Sequence, residues 1–332
     1  MSKKFKNTCS KMTKKLLRTR YNEIERGKKM EEFKSGFVTL IGKTNVGKST
    51  LLNALVGEKV AITANKAQTT RTEIRAIVNR KNAQIIFLDT PGIHRPKNKL
   101  GETMLETAYG SMKEVDVILF LVDATKKEIT KGDTILLEKI KEAKKPTILL
   151  LNKIDLIVKE ELLPLIQKYR QEYDFTAVIP ISAMQNNKKE IETILSEIEK
   201  NLKPGPAYYD IEEYTDQTMR DLVEETIREK ALRLLQEEIP HEIYVECEKM
   251  KRTKTQTKEP IYQVEAVIYC NRNSHKGIII GKGGAMLKKI GTYAREDLEK
   301  MLGTKVNLKL WVKVKEDWQN NDYILKKFKK QD

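Results

Sequence analysis

The sequence predicts an α/β protein, a doubly wound parallel-sheet domain built on a P-loop, followed by a smaller α+β domain. Three observations carry this. From Phe37 to Pro204 short apolar runs alternate with amphipathic stretches, as a sheet covered by helices on both faces requires. Gly42-Lys43-Thr44-Asn45-Val46-Gly47-Lys48-Ser49 fits G-x-x-x-x-G-K-[ST] where one such run turns into a helix. Beyond Pro206 the order becomes helix, strand, strand, a helix pair broken by glycines, and strand.

The chain has 332 residues and a net charge of +16, unevenly placed. Residues 1–35 hold 12 Lys and Arg against 4 Asp and Glu, residues 36–240 hold 31 against 31, and residues 241–332 hold 20 against 12. The excess at the two ends points to polyanion contact outside the neutral middle. Residues 1–35 read as a basic, disordered extension. Residues 1–22 have no acidic residue and superficially fit a transit peptide, but Lys outnumbers Arg and a second plausible start, Met30, stands just before the first strand.

Strands are expected at Phe37 to Ile41, Glu73 to Val78, Ile85 to Asp89, Val117 to Asp123, Thr147 to Leu151 and Val178 to Ile181. Runs such as Val117-Ile118-Leu119-Phe120-Leu121-Val122 suit strands buried on both faces, with ligands at their carboxyl ends. Thr50 to Val56 has helical apolar spacing and a stop at Gly57. No run approaches the ~18 apolar residues of a membrane span. Cys9, Cys247 and Cys270 are odd in number and widely separated, so neither a disulfide framework nor a zinc site is suggested, and a reducing compartment is expected. His94, His241 and His275 are too scattered for a metal cluster.

Four motifs sit where strands end. In Gly42 to Thr50, Gly42 and Gly47 are expected to take backbone angles closed to other residues, so that successive N–H groups cradle phosphates at a helix N-terminus. Lys48 places a charge on the β- and γ-phosphates, and the Ser49 hydroxyl ligates Mg²⁺. In Asp89-Thr90-Pro91-Gly92 the carboxylate can hold Mg²⁺ through water and the glycine N–H can sense the γ-phosphate. In Asn152-Lys153-Ile154-Asp155 the Asp155 carboxylate can accept from guanine N1–H and its 2-amino group, a donor pair that adenine lacks. Ser182-Ala183 offers backbone N–H groups to guanine O6.

In this order the four motifs resemble those of translation-factor-class GTPases, and Gln68-Thr69-Thr70-Arg71 with Asp89-Thr90-Pro91-Gly92-Ile93-His94 narrows the resemblance to the Era family. The resemblance implies GTP and GDP as ligands, Mg²⁺ as cofactor, and a first switch at Gln68 to Arg71 in which a threonine completes the metal shell. That role is given to Thr70, with Thr69 the competitor because spacing cannot separate adjacent hydroxyls. Lys48, Ser49, Thr70, Asp89 and Gly92 form the expected catalytic set. Two departures stand out. Thr44 replaces a common proline at a position that contributes mainly backbone. Ile93 stands where other GTPases carry a water-orienting glutamine, so slow intrinsic hydrolysis is expected.

Leu202-Lys203-Pro204-Gly205-Pro206 breaks any helix and marks a linker, dividing a nucleotide-binding domain at 36–204 from a second domain at 205–332. There, Val223, Ile227, Ala231, Leu234 and Leu235 share a helix face; Ile243, Val245, Cys247 and then Tyr262, Val264, Ala266, Ile268 alternate as strands around a polar connection from Glu248 to Pro260. Gly277-Ile278-Ile279-Ile280-Gly281-Lys282-Gly283-Gly284 precedes a helix faced by Met286, Leu287, Ile290, Ala294, Leu298 and Met301, and a last strand alternates Val306 to Val314. This arrangement resembles a type II KH domain, whose GXXG loop clamps about four nucleotides of single-stranded RNA. Gly277, Ile280, Gly281, Lys282, Gly283 and Gly284, extended by Lys288 and Lys289, are the implied RNA-binding residues, with Gly281 and Gly284 removing Cβ clashes.

Composition gives a GTP-dependent switch with affinity for single-stranded RNA. The resemblance implies more: a cytoplasmic monomer that binds the 3′ end of small-subunit ribosomal RNA and assists small ribosomal subunit assembly. The alternative is a switch peripheral to the inner face of the cell membrane, touching anionic lipid through its basic tail and Lys326 to Lys330. It leaves the Gly-Lys-Gly-Gly loop without a task.

Overall fold

The computed structural model describes residues 32–64, 66, 69–93, 96–254, 257 and 259–328. The expectations for residues 1–29, Gln68, His94 and Lys329-Lys330 therefore lie outside the described residues.

The first sheet contains β1 (Lys34–Ile41), β2 (Ile74–Asn79), β3 (Ala83–Asp89), β4 (Val117–Asp123), β5 (Thr147–Asn152), β6 (Ala177–Pro180) and β7 (Lys203–Pro204), in the order β2-β3-β1-β4-β5-β6 with β7 on β1. Only β2 and β7 run antiparallel to their neighbours. Successive side chains of a strand face opposite sides, and the two cores divide on that parity. Val38, Leu40, Leu119, Leu121, Ile148 and Leu150 pack under α1 (Lys48–Val56) and α5 (Lys188–Asn201). Ile41, Ile118, Phe120, Val122, Leu149 and Leu151 pack under α2 (Lys99–Glu114), α3 (Lys131–Ala143) and α4 (Leu162–Glu172). Strand order reverses beside β1, which puts the P-loop in the crevice where such sheets bind ligands.

One boundary differs from expectation. The strand β1 begins at Lys34, inside the segment expected to be disordered through residue 35, because Lys34 and Ser35 pair with Ala83 and Gln84 on one side and Pro204 and Lys203 on the other. The chain after Pro204 is not a free tether. Gln84 accepts from the N–H groups of Tyr208 and Tyr209 at 2.7 and 3.0 Å, and Ile77 N donates to Tyr214 O at 3.0 Å, so the linker covers the open edge of β2.

The second unit follows as α6 (Met219–Leu234), β8 (Ile243–Lys254), β9 (Pro260–Cys270), α7 (Asn273–Ile280), α8 (Ala285–Leu302) and β10 (Lys305–Val314). Its sheet order is β10-β9-β8, with β10 parallel and β8 antiparallel to β9. Val223, Ile227 and Ala231 of α6 and Ile290, Ala294 and Leu298 of α8 cover one face. The polar connection expected from Glu248 is strand as far as Lys254, paired residue by residue with Pro260 to Glu265 after a register shift at Cys247. Its exposed lysines carry no apolar period, so backbone pairing, helped by Met250 against the core and by the Lys249–Glu265 pair at 3.3 Å, holds this part. A fourth cluster joins the units: Leu100 and Met104 of α2 meet Tyr244, a fully buried Trp318, and Ile324 and Leu325 of α9 (Asp322–Leu325).

Candidate functional site

The phosphate loop is shaped by two glycines with different reasons. Gly47 has φ 104°, and a Cβ there would lie 2.3 Å from Asn152 Nδ2. At Gly42 the requirement is steric rather than conformational, since a Cβ would lie 2.4 Å from Leu121 O. The Lys43 side chain turns away from the loop to Thr130 and Asp133 at the start of α3, its ammonium 3.1 Å from the carboxylate, leaving its backbone to line the cradle. Val46 is buried. Lys48 Nζ donates to Gly42 O and Lys43 O, each at 3.0 Å, across the concavity. Burial lowers its pKa to about 8 against the pull of Asp89, a cost that an anionic phosphate offsets.

Beside Lys48 three oxygens converge. Ser49 Oγ lies 2.8 Å from Thr70 Oγ1 and 3.0 Å from Asp89 Oδ2, and Thr70 Oγ1 donates to Asp89 Oδ2 at 3.2 Å. Asp89 is fully buried, its Oδ1 has no protein hydrogen-bond partner, and burial raises its pKa to about 6. Hydroxyl and carboxylate oxygens with an orphaned carboxylate atom are a donor set for a hard divalent cation, and they fit Mg²⁺. Of the adjacent threonines, Thr70 is the one in this group, whereas Thr69 Oγ1 donates to Lys66 O at 2.7 Å. Thr90 Oγ1 is occupied by Leu40 O at 3.0 Å, and the neighbouring Pro91 is buried. A Cβ on Gly92 would stand 3.2 Å from Lys48 Nζ and 2.9 Å from the Thr44 methyl, so the glycine keeps this wall of the cradle open. The Ile93 side chain packs on the sheet core and its N–H reaches Gly42 O at 3.3 Å, so it contributes no polar group.

The base motifs meet at the ends of β5 and β6. Asp155 is exposed just beyond the end of β5, so its carboxylate is accessible. Lys153, at φ 68°, is pinned by Asp123 at 2.7 Å. The N–H groups expected to face a base carbonyl are both engaged: Ser182 N donates to Glu190 at 3.0 Å and Ala183 N to Asn152 Oδ1 at 2.9 Å. A carbonyl arriving there shares or displaces these acceptors. Sequence reasoning missed Asp123 and Glu190. Asp123 carried a signal, an acid closing an otherwise apolar strand.

The second candidate surface is the turn between α7 and α8. Gly281 N donates to Gly277 O at 2.8 Å, and a Cβ on Gly281 would meet Met286 Cβ at 2.8 Å. Around Gly283 and Gly284 there is open space, so the clash expected at Gly284 is absent within the chain; the glycines answer to φ 57° and 81°. Lys282, Lys288 and Lys289 are exposed, and Ile280 is half-buried against the core. None of these residues joins the nucleotide cluster.

No residue pattern signals the way the Thr69–Arg71 segment meets the second unit. Arg71, its side chain buried, donates to Ile243 O and, at 2.9 Å, to His241 O, and lies 5.4 Å from the Trp318 ring centroid.

Residues 37–153 match the family model described as 50S ribosome-binding GTPase, and residues 238–319 match the KH domain model. Over 294 residues the chain is 51% identical to GTPase Era of Clostridioides difficile (strain 630), covering 88% of this chain and 97% of that protein. It is 50% identical over 294 residues to GTPase Era of Alkaliphilus metalliredigens (strain QYMF), covering 89% and 98%. A crystal structure of Era in complex with MgGDPNP and nucleotides 1506–1542 of 16S ribosomal RNA is similar with a TM-score of 0.84 at 41% identity, covering 89% of this chain and 98% of that one. A variant of Aquifex aeolicus Era bound to GDP·AlF₄⁻ is similar with a TM-score of 0.84 at 40% identity, covering 89% and 99%.

Proposed function

Because the chain belongs to the Era family of GTPases, we propose that it is a GTP-hydrolysing switch that binds the 3′ end of small-subunit ribosomal RNA and assists small ribosomal subunit assembly in the cytoplasm. The observation that carries this reading is the convergence of Ser49, Thr70 and Asp89 beside Lys48, in one chain with an exposed Gly-Lys-Gly-Gly turn. We divide the work at the Pro204-Gly205 link, nucleotide chemistry before it and RNA contact after it.

Ser49, Thr70 and Asp89 would hold Mg²⁺, which would supply charge neutralisation for the β- and γ-phosphates. Lys48 places its ammonium on the same phosphates, the N–H groups from Gly42 to Thr50 surround them, and the Gly92 N–H reads the γ-phosphate. Asn152 and Asp155 select guanine. With an aliphatic Ile93 no side chain at that position orients the attacking water, so turnover is slow without a partner. Lys282 and its neighbours Lys288 and Lys289 neutralise RNA phosphates at a turn whose glycines admit the backbone closely.

The test is paired. Competition of GTP, ATP and XTP for the protein, and filter binding of the terminal fragment of 16S ribosomal RNA, are measured on the same preparation. GTP preferred over ATP by a hundredfold or more, with RNA retained at moderate salt, is the expected result. Equal binding of GTP and ATP removes the base assignment.

A further inference from the structure

The segment that carries Thr70 runs along a helix of the RNA-binding half. At its start Glu229 of α6 accepts from Thr63 N at 3.2 Å and Arg233 donates to Thr63 O at 3.0 Å. Farther on, Lys66 donates to Leu235 O. At its end the Arg228 guanidinium, its side chain 3% exposed, donates to Thr69 O while Glu225 grips it at 2.8 and 2.6 Å. Thr69 O belongs to the peptide whose nitrogen is that of Thr70. On the other side Arg71 is held by His241 O and Ile243 O. Thr70 is thus bracketed: both its neighbours are bonded to the second unit, while its own hydroxyl faces Ser49 and Asp89.

We propose that Arg228 is a positioning residue for GTP hydrolysis, holding from the RNA-binding half the Thr69–Thr70 peptide that aims the Thr70 hydroxyl at the metal site. This rests on the GTPase reading above. A peptide is a rigid plane, so a carbonyl fixed at one edge fixes the direction of the next residue. The contact is poised rather than locked. The Arg71 and Arg228 guanidiniums are both buried at this contact, and separation of the units returns both to water, which offsets the bonds lost.

The experiment uses the full chain with Arg228→Met, which keeps the side-chain stem and removes the donor, and Arg228→Lys, which restores a donor that cannot span Glu225 and Thr69 O as a fork. Hydrogen exchange of residues 63–72 is followed without nucleotide, the Mg²⁺ half-saturation of a bound GTP analogue is measured, and single-turnover hydrolysis is recorded across Mg²⁺ concentrations. In Arg228→Met we expect faster exchange confined to that segment, a rise in Mg²⁺ half-saturation and a fall in hydrolysis of roughly ten- to a hundredfold, the scale of one lost charged hydrogen bond. High Mg²⁺ recovers part of the rate, and Arg228→Lys falls between. A folded Arg228→Met protein with unaltered exchange and Mg²⁺ half-saturation overturns the proposal. If Arg228→Met does not fold, unaltered values in Arg228→Lys do so. If the unmutated chain fails to bind GTP, the GTPase reading falls, while exchange of the segment still reports whether Arg228 holds it.

Discussion

The side chain of Asn152 joins the phosphate loop to the base loop, its amide donating to Val46 O at 2.7 Å and its carbonyl accepting from Ala183 N at 2.9 Å. The motif that reads as base selection is therefore also a strut, and Gly47 is glycine partly because a Cβ would meet that amide.

Asn152→Ala leaves a buried carbonyl and a buried N–H without partners. Each unsatisfied group costs about 1–3 kcal/mol, so stability falls by at least that amount while nucleotide affinity also drops. Urea unfolding and calorimetric GDP titration check both. Loss of affinity with unchanged stability would mean that Asn152 acts on the ligand alone.

Asp155→Asn replaces an exposed acceptor by an amide that can donate. Stability is expected to stay within about 0.5 kcal/mol, as at other surface sites, while GTP binding weakens and XTP binding appears. Unchanged GTP affinity in competition assays would contradict the role given to this carboxylate.

Glu224 of α6 is raised to about 7 by burial first, then by Asp221, Glu225 and Glu246, against the hydrogen bond it accepts from Cys247 N. Its folded pKa exceeds the unfolded one, so the folded state binds the extra proton between about pH 4.5 and 7. Its contribution to stability is fully present below that window, shrinks as pH rises through it, and is lost above it. Glu224→Gln keeps an acceptor for Cys247 N and removes the titration. Its stability relative to the unmutated chain is expected to grow by about 2 kcal/mol from pH 4.5 to 7.5, read from urea midpoints. A constant difference across the window would exclude Glu224 as the source.

Lys282→Asp reverses a charge at the Gly-Lys-Gly-Gly turn without touching Gly283, whose φ of 57° makes substitution there a backbone change as well. RNA affinity is expected to fall tenfold or more, with the slope of log affinity against log salt reduced by about 0.7 per lost phosphate contact. Melting temperature and GTP turnover stay unchanged. Unaltered RNA affinity in the folded variant would make the turn only a helix start.

Six strands of the first sheet were legible in the sequence, because continuous apolar runs and terminal motifs both respond to local chemistry, whereas β7 was hidden in a segment read as linker. Ser49 and Asp89 were legible for the same reason. Thr70 was separable from Thr69 only in three dimensions, where one hydroxyl faces Asp89 and the other a backbone carbonyl. The strand beyond Cys247 was hidden by its lysines, since ladder hydrogen bonds leave no mark on side-chain pattern. The meeting of Arg71 with Trp318, and of Arg228 with Thr69, was illegible because long-range partners share no spacing rule.

Affinity for the 3′-terminal fragment of 16S ribosomal RNA, measured by equilibrium titration with a non-hydrolysable GTP analogue, with GDP and without nucleotide, tests the central claim that this chain is a switch. Coupling of this kind is commonly about 5- to 150-fold, and the contacts between the Thr70 segment and α6 lead us to expect a difference in that range between the GTP analogue and GDP. Identical affinity in all three states would contradict the account and leave an RNA-binding protein in which hydrolysis is incidental.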